Sequence, residues 1–481
     1  MTQAETERLE TDTKADTFSI QSELIYGLTD KPPVIEAFFV AFQHVLASFV
    51  GIITPPLLIC SALGVGPEDT SYIISMSLFA SGICTFIQCK KIGPVGSGLL
   101  SLQGTSFAFL GPIIGIGTAA VSSGKSPTQA LALIFGVCFF GAFIEIVLSR
   151  FLHLAQKIIT PVVSGTVVMI IGLSLIKSGI TSFGGGVPAI ANKTFGSTQN
   201  LALGSLVLFV IVLMNMFGNR YLRMGAIAIG LAVGYIASLF LGIIDFSILG
   251  KLPLVRLPIP CRYGMDFNFA AFAPFILLYL ITAIETIGDL TATSAVSEEP
   301  IKGKLYMRRI KGGVLGDGVN SAIAAVLNTF PNTTFSQNNG VIQMTGVGSR
   351  YVGFYVAGIF AVLGLFPIVG GFFQALPQPV LGGATLIMFG SITVAGVNIV
   401  ASTHLDRRAM IIIATSLALG LGVVYAPELL ADKPPLIKNV FSSGISTGGL
   451  CAILMNWLLP QEKTRSMLPS SELIDEAPLN E

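Results

Sequence analysis

From about Ile35 to Leu459 the chain is a nearly unbroken series of apolar stretches. Each is close to the roughly 20 residues that carry an α-helix across a bilayer. The polar interruptions between them are too short to hold a soluble domain. Of the 481 residues only 11% are charged and 52% are hydrophobic, whereas soluble domains carry roughly 25% charged residues. A fold with so little polar surface cannot coat itself for water, so lipid must solvate much of it. The chain is therefore expected to be an all-α polytopic membrane protein. Its transmembrane domain would span 35–459, between short tails at 1–34 and 460–481. The first tail is acidic and lacks an apolar core after a basic start, so a cleaved secretory signal is not expected.

Apolar runs between polar punctuation predict 14 segments. They lie near 35–60, 69–88, 92–118, 127–149, 158–178, 199–217, 222–243, 267–296, 312–327, 330–347, 350–369, 374–398, 409–425 and 438–459. With the N-terminus inside, 19 of the 27 lysines and arginines fall in inner loops and tails and 8 in outer loops. That bias follows the positive-inside rule, needs an even number of spans, and places both termini in the cytoplasm. A weak internal repeat supports the same count. Gln156, Pro161, Val162, Gly165 and Gly172 recur at one constant offset as Gln374, Pro379, Val380, Gly383 and Gly390. These residues begin or lie within the fifth and twelfth segments, seven apart, so the halves would be inverted repeats. The third and tenth segments, also seven apart, are both too polar and glycine-rich for lipid-facing helices. Paired interrupted helices in inverted repeats are the sequence sign of a secondary transporter.

Ionisable groups inside spans are costly enough that each needs a reason. Glu285 and Asp289 lie four apart on one helical face, in Leu278-Tyr-Leu-Ile-Thr-Ala-Ile-Glu-Thr-Ile-Gly-Asp289. Two carboxylates one turn apart in low dielectric repel, which joins a binding group to a candidate proton site; the alternative is that they cap or pair with other helices. Asp317, in Gly312-Gly-Val-Leu-Gly-Asp-Gly318, begins a short predicted span and either caps a helix or holds a coupling proton. A membrane aspartyl protease of the Gly-x-Gly-Asp type is excluded because Val314 occupies the first glycine position. Glu145 precedes Arg150 near the inner end of its span and reads as half of a structural pair. His44 reads as a neutral donor fixing helix contacts, with a proton role as the alternative.

The tenth segment carries Thr333-Thr-Phe-Ser336, a β-prone stretch, followed by Gln337-Asn-Asn-Gly340. Backbone that leaves the helix at membrane depth survives only when buried in protein or lining a cavity. Its free N–H and C=O groups, with the Gln337 amide, suit the edge of a planar heterocycle. Ionised Glu285 would accept from two ring N–H groups as a charge-assisted pair. From the opposite half, Leu102-Gln-Gly-Thr-Ser-Phe107 offers Phe107 for stacking, against the plain reading of a packed aromatic.

The run Gln337-Asn-Asn-Gly-Val-Ile-Gln-Met-Thr-Gly346 resembles the signature of the nucleobase–ascorbate transporters, also called the nucleobase:cation symporter-2 family. Gln43-His44, Gln103-Gly-Thr-Ser-Phe107, Glu285-Thr-Ile-Gly-Asp289 and Pro379-Val-Leu-Gly-Gly383 fit that family in order and spacing, and within it the chain is most similar to bacterial xanthine permeases. The resemblance implies 14 spans in two inverted seven-span repeats. It implies a core domain (segments 1–4 and 8–11), a gate domain (5–7 and 12–14), and short strands in segments 3 and 10. It also implies a homodimer in a bacterial inner membrane, working by alternating access. Carried over residue by residue, Glu285 and Gln337 hold the substrate, Phe107 stacks on it, and Asn338 shapes the site beside Ser106 and Ser336. Asp289, Asp317 and His44 would serve proton coupling and support. No cofactor beyond the coupling proton is implied.

Uracil carriers of the family have a carboxylate at the position of Gln337 and a histidine at that of Asp289. This chain is thus expected to take a purine, with xanthine ahead of urate, hypoxanthine or guanine. An anion exchanger of the same architecture should meet its ligand with basic or backbone groups, not Glu285. The three histidines, His44, His153 and His404, are not spaced as metal ligands, and no nucleophile–base pair suggests an enzyme. The interrupted, paired segments argue against a channel. A net charge of +1 without a basic cluster gives no sign of nucleic-acid binding. The six cysteines, most in apolar segments, read as small packing residues.

Overall fold

The structure is a computed structural model describing residues 24–460, apart from 153–159, 220–221, 224, 245–249, 251, 402, 404, 431, 435–436, 438–439 and 442. His153, His404 and most of both tails, which the charge bias assigns to the cytoplasm, lie outside the described residues.

The chain is predominantly helical. In order it forms α1 (Val34–Leu63), α2 (Pro67–Lys90), the strand β1 (Gln103–Thr105), α3 (Leu110–Ser122) and α4 (Pro127–Leu148). Then come α5 (Pro161–Phe183), α6 (Thr198–Phe217), α7 (Ala226–Phe240), α8 (Phe269–Val296) and α9 (Gly303–Val326). The strand β2 (Asn332–Thr334) leads into α10 (Gln337–Thr345), α11 (Arg350–Gly364), α12 (Pro367–Gln374), α13 (Gln378–Ala401), α14 (Arg407–Tyr425) and α15 (Gly444–Leu458). Among the described residues eight helices are long and apolar enough to cross a bilayer, and α11 with α12 forms one further candidate bent by 77°. The molecule is a multi-pass membrane protein.

Local chemistry accounts for the helix ends. Gly64 closes α1 in the left-handed region at φ 67°, where its N–H reaches the last carbonyls. Pro127 occupies the first turn of α4, and Ser126 and Gln129 form a reciprocal capping box ahead of it. Pro367, which lacks an N–H, starts α12 directly after the bend.

The two interrupted segments meet. β1 and β2 pair antiparallel, with Gln103 opposite Thr334, Gly104 opposite Thr333 and Thr105 opposite Asn332. Their edges are tied down by neighbouring helices. The Gln103 N–H donates to Thr85 of α2 at 3.0 Å, and the Ser321 hydroxyl of α9 both donates to the Asn332 carbonyl and accepts from its N–H. The helices carrying the internal repeat, α5 and α13, also pack along each other. Positions 165, 172 and 179 of α5 face 396–400, 389–393 and 386–389 of α13, an antiparallel crossing. A Cβ on Gly172 would strike Thr393 and the Phe389 carbonyl, so glycine is what lets the backbones approach.

Two expectations are corrected. The ninth helix starts at Gly303, not near 312, because its first turns carry Lys304, Arg308, Arg309 and Lys311 and so escape a hydropathy reading. Asp317 therefore sits in the middle of α9, where it cannot cap a helix. Four cysteines (Cys60, Cys84, Cys89 and Cys138) are buried as expected of packing residues, while Cys261 is exposed.

Candidate functional site

The site grows from the strand pair. Successive side chains of β2 point to opposite faces, and the two threonines use both. Thr334 donates to Asp289 Oδ2 of α8 at 3.0 Å. Thr333 donates to Asp317 Oδ2 of α9 at 3.4 Å, and Thr286 of α8 donates to the same oxygen. One turn beyond Asp289, Thr293 donates to Asn339 Oδ1 of α10 at 2.7 Å. Two aspartates and four threonines thus lash α8, α9, β2 and α10 into one unit.

Glu285 stands apart from this lashing. It lies one turn before Asp289 on α8, half-buried, and its Oε2 is enclosed with no hydrogen-bond partner among the described residues. Asp289 and Asp317 are the charges that act on it. A buried carboxylate oxygen without a donor is costly unless a ligand supplies one. The arrangement can accept hydrogen bonds from a ligand; no group of three or more His, Cys, Asp and Glu suited to a metal occurs among the described residues.

The other residues singled out from sequence fall in several places. Gln337 opens α10 and borders a cavity of about 470 Å³ together with Gly340, Asn215, Arg223 and Ser391. Ser336, just before it, is exposed and makes no capping bond. Ser106 ends the β1 stretch: its N–H donates to the Pro331 carbonyl at 2.8 Å, and its buried hydroxyl has no partner among the described residues. Phe107 is 93% enclosed, since its relative exposure is 7%, and its ring meets Phe389 of α13 edge-on at 5.5 Å. Asn338 is buried and donates from Nδ2 to the Leu100 carbonyl, pinning α10 to the segment before β1.

Two readings fail. His44 is fully buried on α1, yet neither ring nitrogen has a partner among the described residues, so it fixes no helix contact by hydrogen bonding. Glu145 does not pair with Arg150. Its two oxygens are buried without partners among the described residues, the nearby charges acting on it are Asp317 and Glu285, and Arg150 is exposed at the helix end. One turn of helix separates the two side chains' levels, and α4 buries the first against α9 while leaving the second outside. The sequence reading assigned no role to Thr286, Thr293, Thr333 or Thr334. Their signal was available: hydroxyls at alternating positions of a broken segment, near intramembrane acids.

Comparison with known proteins adds to this geometry. The chain matches the permease family over residues 35–429. It is 54% identical over 443 residues to xanthine permease XanP of Escherichia coli, covering 92% of this chain and 96% of that one. Against xanthine permease XanQ of the same organism it is 47% identical over 458 residues, covering 94% and 98%. Among solved structures, the transmembrane domain of a cyanobacterial bicarbonate transporter, BicA, superposes with a TM-score of 0.56 at 16% identity, over 86% of this chain and 99% of that one. At that identity the likeness concerns the fold alone.

Proposed function

Because the chain belongs to this permease family, whose nucleobase–ascorbate transporter signature it carries at Gln337–Gly346, we propose that it is a proton-coupled symporter importing a purine base, xanthine first. The observation that carries the reading is Glu285: an acidic side chain one turn from the Asp289 that latches the strand pair, with an enclosed oxygen that no group among the described residues satisfies. A purine dione offers adjacent N–H groups in one plane, which suits a carboxylate acceptor. The near-complete overlap with two named xanthine permeases supports the same substrate.

In this reading Glu285 and Gln337 hold the base, Phe107 covers a ring face, and Ser106, Ser336 and Asn338 shape the surroundings. Asp289, Asp317 and His44 serve coupling and support. The 14 spans would form two inverted repeats, for which the antiparallel strands and the antiparallel α5–α13 crossing speak. Segments 1–4 and 8–11 would be the core and 5–7 and 12–14 the gate. The cavity beside Gln337 lies between α10 and α1 of the core and α6, α7 and α13 of the gate, where sliding would open a path. The protein would sit as a homodimer in a bacterial inner membrane with both termini in the cytoplasm.

The test is uptake of labelled xanthine in cells lacking their own purine permeases. Competition by xanthine over uracil, and collapse of accumulation on adding a protonophore, are expected. Stronger competition by uracil would overturn the substrate class, and accumulation that survives the protonophore would overturn proton coupling.

A further inference from the structure

The end of the bundle that the charge bias assigns to the cytoplasm holds a cavity of about 860 Å³, separate from the strand-pair site. Its walls come from the turn after α2, the end of α4 and the first turns of α9. Five cations line it: Lys91, Arg150, Lys304, Arg308 and Lys311; no carboxylate does. On α9, positions 304, 308 and 311 fall on one face by helical spacing. Among the described residues none of the five forms an ion pair. At the opposite end of the molecule Lys125, Arg256 and Arg262 are all neutralised by Asp266, Glu68 and Asp69.

Three features make this cluster suited to an anion. First, α9 begins at the cavity, and its N-cap, Lys302, makes no side-chain capping bond. The first amide N–H groups of a 24-residue helix are therefore left without a side-chain acceptor there. Second, the first turn carries a lysine and no acidic residue, the wrong sign for the positive end of a helix dipole. Third, the cations feel one another: burial and the charges of Arg308 and Arg309 hold the Lys91 ammonium below its ordinary pKa.

Exposed apolar side chains accompany the cations in sequence: Ile92 beside Lys91, Val147 and Phe151 around Arg150, and Ile301 and Leu305 around Lys304. Cations with apolar neighbours belong at headgroup depth, where stems and rings meet acyl chains and charges meet phosphate. A site for a soluble anion needs no such rim. We propose that this cavity binds the phosphate of an anionic phospholipid of the cytoplasmic leaflet, held by the uncapped start of α9 and by Arg150, Lys304, Arg308 and Lys311.

The experiment uses the full-length protein in detergent and follows its melting temperature while lipid is added. Phosphatidylglycerol should raise the melting temperature saturably, and phosphatidylcholine of the same chains should not. Lys304→Gln/Arg308→Gln/Lys311→Gln should weaken the apparent phosphatidylglycerol affinity about 100-fold, each cation contributing roughly fivefold, while the variant stays monodisperse and still binds xanthine. If the triple variant does not fold, Arg150→Gln on the other wall decides, with an expected loss of about fivefold. Equal shifts with both lipids, or an unchanged affinity in these variants, would overturn the site. A shift reproduced by inorganic phosphate alone would overturn the lipid assignment in favour of a soluble phosphate. A lipid shift that appears only after residues 1–23 are deleted would place the acidic tail in the cavity and overturn it too.

Discussion

Glu285→Gln separates binding from folding more sharply than any other single change. The side chain has no ion pair among the described residues, and its enclosed Oε2 has no donor to lose. The amide is nearly isosteric, and it removes a charge that lies near Asp289 and Asp317. The melting temperature of the purified variant should therefore stay level or rise. Binding should suffer twice. One ring N–H would meet an amide N–H₂ in place of an oxygen, and the other would keep an acceptor without its charge. Hydrogen bonds to charged groups contribute about 1.5–3 kcal/mol each, so the combined loss is about 3–5 kcal/mol. At about 1.4 kcal/mol per tenfold the affinity falls by at least about 100-fold. Labelled xanthine uptake, with membrane insertion checked by immunoblot, reads the effect. Saturable uptake at the parental KM would refute the assignment of Glu285. A variant that loses uptake and also melts early would show that the carboxylate is structural.

Thr334→Val should lower the melting temperature, since it removes the 3.0 Å bond to Asp289 and leaves that carboxylate short of a donor, at a cost of about 1–3 kcal/mol; Thr334→Ser should restore it, and an unchanged melt in the valine variant would remove the latch from the account. In Gly104→Ala the new Cβ would come within 2.7 Å of the Phe335 ring and 2.8 Å of Ile52. Such overpacking costs about 1–3 kcal/mol and pushes the ring that precedes Ser336 and Gln337, so xanthine KM should rise while a conservative Ile52→Val leaves it near parental. At the end of the bundle opposite the basic cavity Lys125 holds the Asp266 carboxyl below the ordinary carboxylate range, with the Phe267 N–H assisting. A lowered folded-state pKa adds stability above the unfolded value and loses it as pH falls through the folded one. The pair is about half exposed, so Lys125→Ala should cost less than about 1 kcal/mol, and the difference in melting temperature should shrink as pH falls below about 4 and vanish once it is below the lowered folded-state pKa of Asp266.

The parts of the fold legible in sequence are those set by solvent and by spacing. Lipid demands long apolar helices, so the multi-pass character and the approximate limits of the eight longest apolar helices among the described residues follow from hydropathy. The broken third and tenth segments announced themselves by glycine and amide content, and the structure joins them as β1 and β2. What escaped was set by three-dimensional neighbours. The basic first turns of α9 hide its start, which moved Asp317 from a supposed helix end to its middle. Glu145 and Arg150 are close in sequence, yet the packing of α4 on α9 buries one and exposes the other. His44 is enclosed without partners, which no pattern along α1 could reveal. The threonines were visible as residues; their roles required knowing that β2 passes between α8 and α9.

The supply of donors around the strand pair separates two acids held by threonines, Asp289 and Asp317, from two whose buried oxygens have no donor among the described residues, Glu285 and Glu145. Four carboxylates, Glu145, Glu285, Asp289 and Asp317, lie within electrostatic reach of one another. The hydroxyls of Thr286, Thr333 and Thr334 all go to the two aspartates. The aspartates therefore act as framework, holding β2 to α8 and α9, and every donor they take is one that Glu285 cannot use. In the proposed reading a base that donates to Glu285 would satisfy one of the two acids the framework leaves open, on the same helix as Asp289, one turn away. Any shift of α8 on binding then pulls on Thr334 and, through β2, on β1 and the start of α10. With Glu285 as the proposed binding acid, substrate and framework would thereby be linked through a single helical turn, and the closeness of Glu285 to the latching Asp289 follows from the i, i+4 spacing already written in the sequence.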